Sequence, residues 1–154
     1  MKGPAPIISN HGALADEAKA NAEFVRAGEA ERTCLVARTN NWVAKYHDEL
    51  DALGLTIHAI TRQTRDDSSK PGLRVATMHR VKGLEFDRVI VAGANAELLP
   101  LASALARASD GAAREDAEHQ ERALFYVALT RARREVLITS HGKPSEWLID
   151  TKNG

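Results

Sequence analysis

The chain has one cysteine, Cys34, and its histidines (His11, His47, His58, His79, His119 and His141) are scattered without paired metal-ligand spacing. That rules against a disulfide framework and a structural zinc site, and no metal is assigned. No apolar run approaches the roughly 20 residues that span a bilayer as a helix, and the N-terminus lacks the basic-then-apolar pattern of a secretory signal. The expected compartment is therefore the cytoplasm, with no membrane partner. Charge of one sign is not in surplus either, since 21 Lys and Arg balance 21 Asp and Glu. The overall basicity of a self-sufficient nucleic-acid binder is missing, so any contact with a polyanion must be local. Also missing is a phosphate-cradling G-x-x-x-x-G-K-[ST] loop. The Gly-Lys pair is Gly142-Lys143, Pro144 follows it, and Leu137 stands where the first glycine belongs. Without that row of backbone amides the chain cannot hold a triphosphate by itself. The acidic pairs Asp16-Glu17 and Asp48-Glu49 fall in helical, polar contexts and lack the preceding apolar strand of a magnesium-holding pair.

What is present is an ordinary globular composition, 44% apolar and 27% charged over 154 residues, enough for one domain with its own core and too short for two. Strand-like and helix-like runs alternate. Residues 6–9 read as a strand, and Asn10 as the cap of a helix over 13–27 with Leu14, Ala18, Asn21 or Ala22, and Val25 on one face and Gly28 at its end. Residues 33–37 form a buried strand. A second helix starts at Asn40 or Asn41, carries Val43, Tyr46, Leu50 and Leu53 at helical spacing and stops at Gly54. Residues 55–60 follow as a strand, and the breaker-rich 61–72 as an exposed loop. Beyond a loop at 94–100, residues 101–113 are alanine-rich and broken by Ser109, Asp110 and Gly111. A long helix over about 114–133 carries Leu124, Val127 and Ala128 inward, with Tyr126 read as core. In its acidic N-terminal half, Glu115, Asp116 and Glu118 read as a solvated face. A strand at 135–140 and a short helix at 144–149 close the chain, and residues 1–4 read as a disordered end. This alternation predicts an α/β fold, a parallel sheet with helices on both faces.

The most informative stretch is 74–93, R-V-A-T-M-H-R-V-K-G-L-E-F-D-R-V-I-V-A-G. Strand-like runs at 75–78 and 88–92 flank a polar knot of Thr77, His79, Lys82, Gly83 and Glu85. A hydroxyl, an imidazole, an ammonium and a carboxylate gathered where a strand ends are suited to ligand binding at a sheet edge. The same stretch also reads as a β-hairpin with a polar turn, Gly83 serving only the bend.

As a motif, T-x-H-x-x-K-G-L-E-F before an apolar strand resembles motif five of the UvrD/Rep-type superfamily-one DNA helicases. Residues 34–40, C-L-V-A-R-T-N, resemble motif four, and residues 121–139, E-R-A-L-F-Y-V-A-L-T-R-A-R-R-E-V-L-I-T, resemble motif six. The order of the three is the family's. The resemblance implies a RecA-like domain, the second or C-terminal motor half of an ATP-dependent DNA helicase or translocase. ATP with Mg²⁺ would be bound mainly by an N-terminal RecA-like P-loop domain that this chain lacks, leaving the chain alone inactive. The large insertion that many members carry between motifs four and five is also missing.

The resemblance also implies roles for individual residues. Arg131 and Arg38 would reach the ATP phosphates as catalytic groups, Arg131 in the manner of an arginine finger. Guanidinium groups suit this because they stay charged and offer forked donors. From its residue type alone Arg131 also reads as a structural salt bridge, set on the buried stripe in its helix's last turn. Glu85 would bond the nucleotide ribose, with Gly83 beside it on the nucleotide side. Its alternative is a local ion pair with Lys82 or Arg88. Thr77, His79 and Lys82 would contact the backbone of single-stranded DNA. Gln120 is left without a role. Two departures stand out: Ala37 occupies a position that is often aromatic in the family, and Trp42, Val43 and Ala44 replace polar residues. Trp42 reads as packing, with base stacking as the alternative. The rival readings of the whole chain are a non-catalytic nucleotide- or nucleic-acid-binding module and a piece of a helicase-nuclease fusion.

Overall fold

The computed structural model describes residues 5–62 and 66–148. Its strands are β1 (Ile7–His11), β2 (Thr33–Ala37), β3 (Ile57–Ala59), β4 (Leu73–Thr77), β5 (Phe86–Val91) and β6 (Ala132–His141). They form one six-stranded sheet in the order β1-β6-β5-β2-β4-β3, with every neighbouring pair parallel. The central strands are rich in apolar residues because both of their faces are covered, and β2 and β4 are buried at every residue, Arg74 included. Alternate residues feed two separate cores. Leu35, Val75, Ile90 and Leu137 pack with Ala18, Ala22, Tyr46 and Leu50 of α1 (Leu14–Arg26) and α2 (Asn40–Ala52). Cys34, Val36, Ala76, Val89 and Ile138 point the other way, toward Phe125 and Ala128 of α4 (Gly111–Leu129). The short α3 (Ala102–Ala106) packs beside α4. The α/β architecture predicted from strand-helix alternation is the one that forms.

Several local expectations need correction. Asn10 does not cap α1. It lies within β1, its amide donates to Ser140 Oγ at 2.7 Å and to the Gly142 carbonyl at 3.1 Å, and the N-cap position falls to Ala13, which has no side-chain cap bond. The β-hairpin reading of 74–93 fails, because β2 lies between β4 and β5 and all three run parallel. The long helix begins and ends earlier than expected. Asp110 caps it, accepting from the Ala113 amide at 2.8 Å, and Thr130 closes it, so Arg131 lies just past its end rather than in its last turn. Tyr126 is 64% exposed, whereas its neighbour Phe125 is buried. A shift of one residue around a helix turns the side chain by about 100°, enough to exchange inside for outside. The ends expected at 1–4 and part of the closing helix at 144–149 lie outside the described residues. Trp147 and Leu148 are buried in the α4-side core.

Candidate functional site

Parallel strands give a sheet two chemically distinct edges, and the candidate residues divide between them. Glu85 directly precedes β5 and Arg131 directly precedes β6. The Phe86 amide donates to the Arg131 carbonyl at 2.9 Å, so the two residues flank one another at the N-terminal edge. The half-buried Arg131 guanidinium donates to the carbonyls of Val127 (3.1 Å) and Leu84 (3.4 Å) and to Thr130 Oγ1 (3.3 Å). It makes no ion pair among the described residues, so the salt-bridge alternative for it is not realised. Glu85 is 59% exposed and accepts from Arg133 Nε at 3.0 Å, a partner other than the Lys82 or Arg88 considered from sequence. Gly83, with φ at +85°, occupies backbone space that favours glycine, and nothing crowds the place where its Cβ would sit.

Arg38 belongs to the opposite edge. Val36 is level with Val91, and Glu85 lies six residues before Val91, so a separation of about 20 Å follows from the rise per residue of a strand. Arg38 therefore does not meet Glu85 and Arg131. Nor is it exposed: its Nε and Nη2 grip the Glu121 carboxylate at 2.9 and 2.6 Å, with side chains 11% and 5% exposed. The Leu101 amide donates a third bond to Glu121 at 2.9 Å. Burial pushes the Glu121 carboxyl up, but the bonds from Arg38 and Leu101 outweigh it and hold the group below the ordinary carboxylate range.

Around this pair open two clefts of about 500 and 490 Å³ that share Arg38 and His79. The first lies over the ends of β2 and β4 and includes Thr77. The second runs between the 78–82 turn and α4, with Lys82, Arg107 and Gln120 on its walls and Met78, Leu124 and Val127 along its apolar side. Thr77 closes β4, its hydroxyl accepting from the Arg80 amide at 3.3 Å, while His79 and Lys82 are exposed. The structure thus brings Thr77, His79, Lys82 and Arg38 to one edge and Gly83, Glu85 and Arg131 toward the other.

Two carboxylates have structural roles that the sequence did not predict, and one of them, Glu17, is buried rather than in the polar context expected of it. Glu121 is one; its partner is 83 residues away, and no local signal marks the pairing. The other is Glu17, fully buried under the α1-α2 face. It accepts from Tyr46 Oη (2.6 Å), the Gly93 amide (2.9 Å) and Thr139 Oγ1 (2.7 Å), and lies 2.7 Å from His141 Nδ1. Burial, and next the Glu17 carboxylate, push the Tyr46 hydroxyl up, which keeps it a donor. Trp42 lies tilted against Tyr46 and His141 at 5.9 and 5.2 Å between ring centroids and packs against that core, as its packing role predicts.

Residues 44–143 match the model of the UvrD-like helicase C-terminal domain family. The chain belongs to that family. Among relatives, the UvrD-like domain is 40% identical over 62 residues to ATP-dependent DNA helicase UvrD2 of Mycobacterium tuberculosis, covering 40% of this chain and 8% of that protein. It is 36% identical over 70 residues to ATP-dependent DNA helicase Rep of Buchnera aphidicola, covering 46% and 9%. The matched segments thus span about a tenth of those relatives' length. Among solved structures, the C-terminal domain of a possible DNA helicase from Lactobacillus plantarum WCFS1 superposes with a TM-score of 0.70 at 25% identity, covering 96% of this chain and 80% of that one. The C-terminal domain of the DEAD-box protein Dbp5 shares the fold alone, with a TM-score of 0.56 at 11% identity and coverages of 96% and 83%. The sheet is therefore the RecA-like one of helicase C-terminal domains.

Proposed function

We propose that this UvrD-like domain is the second motor half of an ATP-dependent DNA helicase or translocase, completing an ATP site at its N-terminal edge and holding single-stranded DNA at its C-terminal edge. The observation that carries the reading is the division of the candidate residues between two edges about 20 Å apart, joined by one short crossover at residues 78–85. At the first edge the chain offers a forked donor, Arg131, without an anionic partner among the described residues, beside an exposed carboxylate, Glu85. These suit a phosphate and a ribose hydroxyl of ATP. They supply neither an amide cradle nor a carboxylate pair for Mg²⁺, which fits a nucleotide held mainly by an N-terminal P-loop domain. At the second edge Thr77, His79 and Lys82 suit the phosphates of a strand. Arg38, expected from its motif to meet ATP, lies beside Thr77 and His79, and we assign it with them to the strand.

The mechanism follows from the two edges. Closure of the partner domain on ATP would bring Arg131 to the terminal phosphate, where its fixed charge stabilises the negative charge that develops during transfer to water. Opening after hydrolysis would then shift this domain's grip along the strand. In the two-domain protein, Arg131→Ala is expected to cut ATP turnover about 10³-fold with little change in strand binding. The same substitution should cost this chain about 1 kcal/mol, because only backbone and hydroxyl contacts are lost. A steady-state ATPase assay beside a melting curve checks both, and unchanged turnover with a large melting loss would overturn the assignment.

A further inference from the structure

The first cleft holds more cationic groups than the proposed strand contacts use. Besides Arg38 and His79, it is lined by Arg62, from the loop after β3, and by Arg80, from the turn after β4. Among the described residues, no carboxylate lines it. Arg38 is already neutralised by Glu121, whereas Arg62 and Arg80 have no ion-pair partner among the described residues. By contrast, Arg32, Arg74, Arg88 and Arg133 are paired with carboxylates. The cleft also receives the N-terminus of the 13-residue α2, where Thr39 caps the helix and Asn40 begins it. Guanidinium groups, hydroxyls and the positive end of a helix converge there on a space that no carboxylate of the described residues lines.

We infer that this cleft is a second phosphate seat for a single strand, with Arg62 and Arg80 as its binding residues, extending the path beyond Thr77 and His79. The inference rests on the strand-binding reading above and assigns residues that reading leaves out. The shape favours a linear polyanion over a small one. The two clefts share Arg38 and His79, and their further cations divide between them: Arg107 and Lys82 line one, Arg80 and Arg62 the other. The apolar side of the second cleft suits sugars and bases, and the polar first cleft suits phosphates.

The test is fluorescence anisotropy of labelled dT8 with this 154-residue chain, titrated across salt concentrations, for the unaltered protein, Arg62→Gln/Arg80→Gln, Arg62→Lys/Arg80→Lys and His79→Ala/Lys82→Ala. With two phosphate contacts removed, the slope of log K against log salt should become shallower by about 1.4 in the Gln pair, since each single-strand phosphate contributes about 0.7. The Lys pair, which keeps both charges, should retain the slope. An unchanged slope in the Gln pair, with a shallower one in the His79/Lys82 pair, overturns the seat and leaves the strand-binding reading standing. Loss in the Gln pair alone keeps the seat and sinks the roles of His79 and Lys82. If neither pair changes it, or no saturable binding occurs at low salt, both fall together. Tripolyphosphate that displaces the label at lower concentration than unlabelled dT8 would make the cleft a free-anion site and overturn the proposal.

Discussion

At the scale of single residues, the Arg38–Glu121 pair shows how far a side chain's surroundings can depart from its motif. Sequence places Arg38 at the end of a strand, and the structure agrees. It could not show that a carboxylate 83 residues away would take up its fork. Replacing Glu121 with Gln leaves that guanidinium without its counter-charge and should cost about 2 kcal/mol at neutral pH, the range for hydrogen bonds to charged groups. The pH dependence has a definite sign. The folded-state carboxyl titrates below its ordinary 4.5, so the stability it contributes is fully present above that value and is lost as pH falls through the depressed one. Acid titrations of the two proteins should therefore converge below about pH 4.5, and a gap that persists undiminished at acid pH would sink this account. Tyr126 is the converse lesson. Beside Phe125 its residue type reads as core, but helical phase decides, and the ring is 64% exposed.

Among the elements, strands were the most legible, because β-branched runs bounded by glycine and charge have few other uses. The sequence marks residues 33–37 as a strand, and β2 spans the same residues. Helix starts were less so: Asn10 has the chemistry of a cap, but the strand partner β6 competes for its amide through Ser140, and the longer-range bond wins. The assembly of helices on the sheet was legible only in part. The inward face of α1 could be read from Ala18, Ala22 and Val25, yet the same face carries Glu17, a residue type that is rarely buried unless paired. Glu17 ties α1 to α2 through Tyr46, to β6 through Thr139 and His141, and to the end of β5 through Gly93. Glu17→Ala would leave these groups without their acceptor. It should cost about 3 kcal/mol or more, lowering the melting temperature by about 10 °C in a domain of this size. A variant that melts within a degree or two of the parent would show that water or a neighbour replaces the carboxylate without loss.

On the scale of the whole molecule, the motifs identify the family, while only the folded chain shows that the motif residues serve two edges. The sequence lists Thr77, His79, Lys82, Gly83 and Glu85 within nine positions, which invites a single site. A parallel sheet then sends the beginning and end of that run to opposite sides. The missing phosphate cradle bears on the whole chain as well: the isolated protein is expected to hydrolyse no ATP, with or without single-stranded DNA. Turnover that co-purifies with the chain through successive columns and is abolished by Arg131→Ala would refute this. The connection between the edges has a mechanical meaning of its own. Thr77 is level with Ala37, and the register of β2 with β5 sets the start of β5 about 20 Å below. The nine steps from Thr77 to Phe86 could reach about 30 Å if fully drawn out, but residues 78–83 are coiled in turns, tied by Arg80 to Thr77 and by Leu84 to Val81. The crossover stores its spare length in hydrogen-bonded turns, while the register of the parallel strands sets the distance between the edge that carries Thr77 and the edge that carries Glu85.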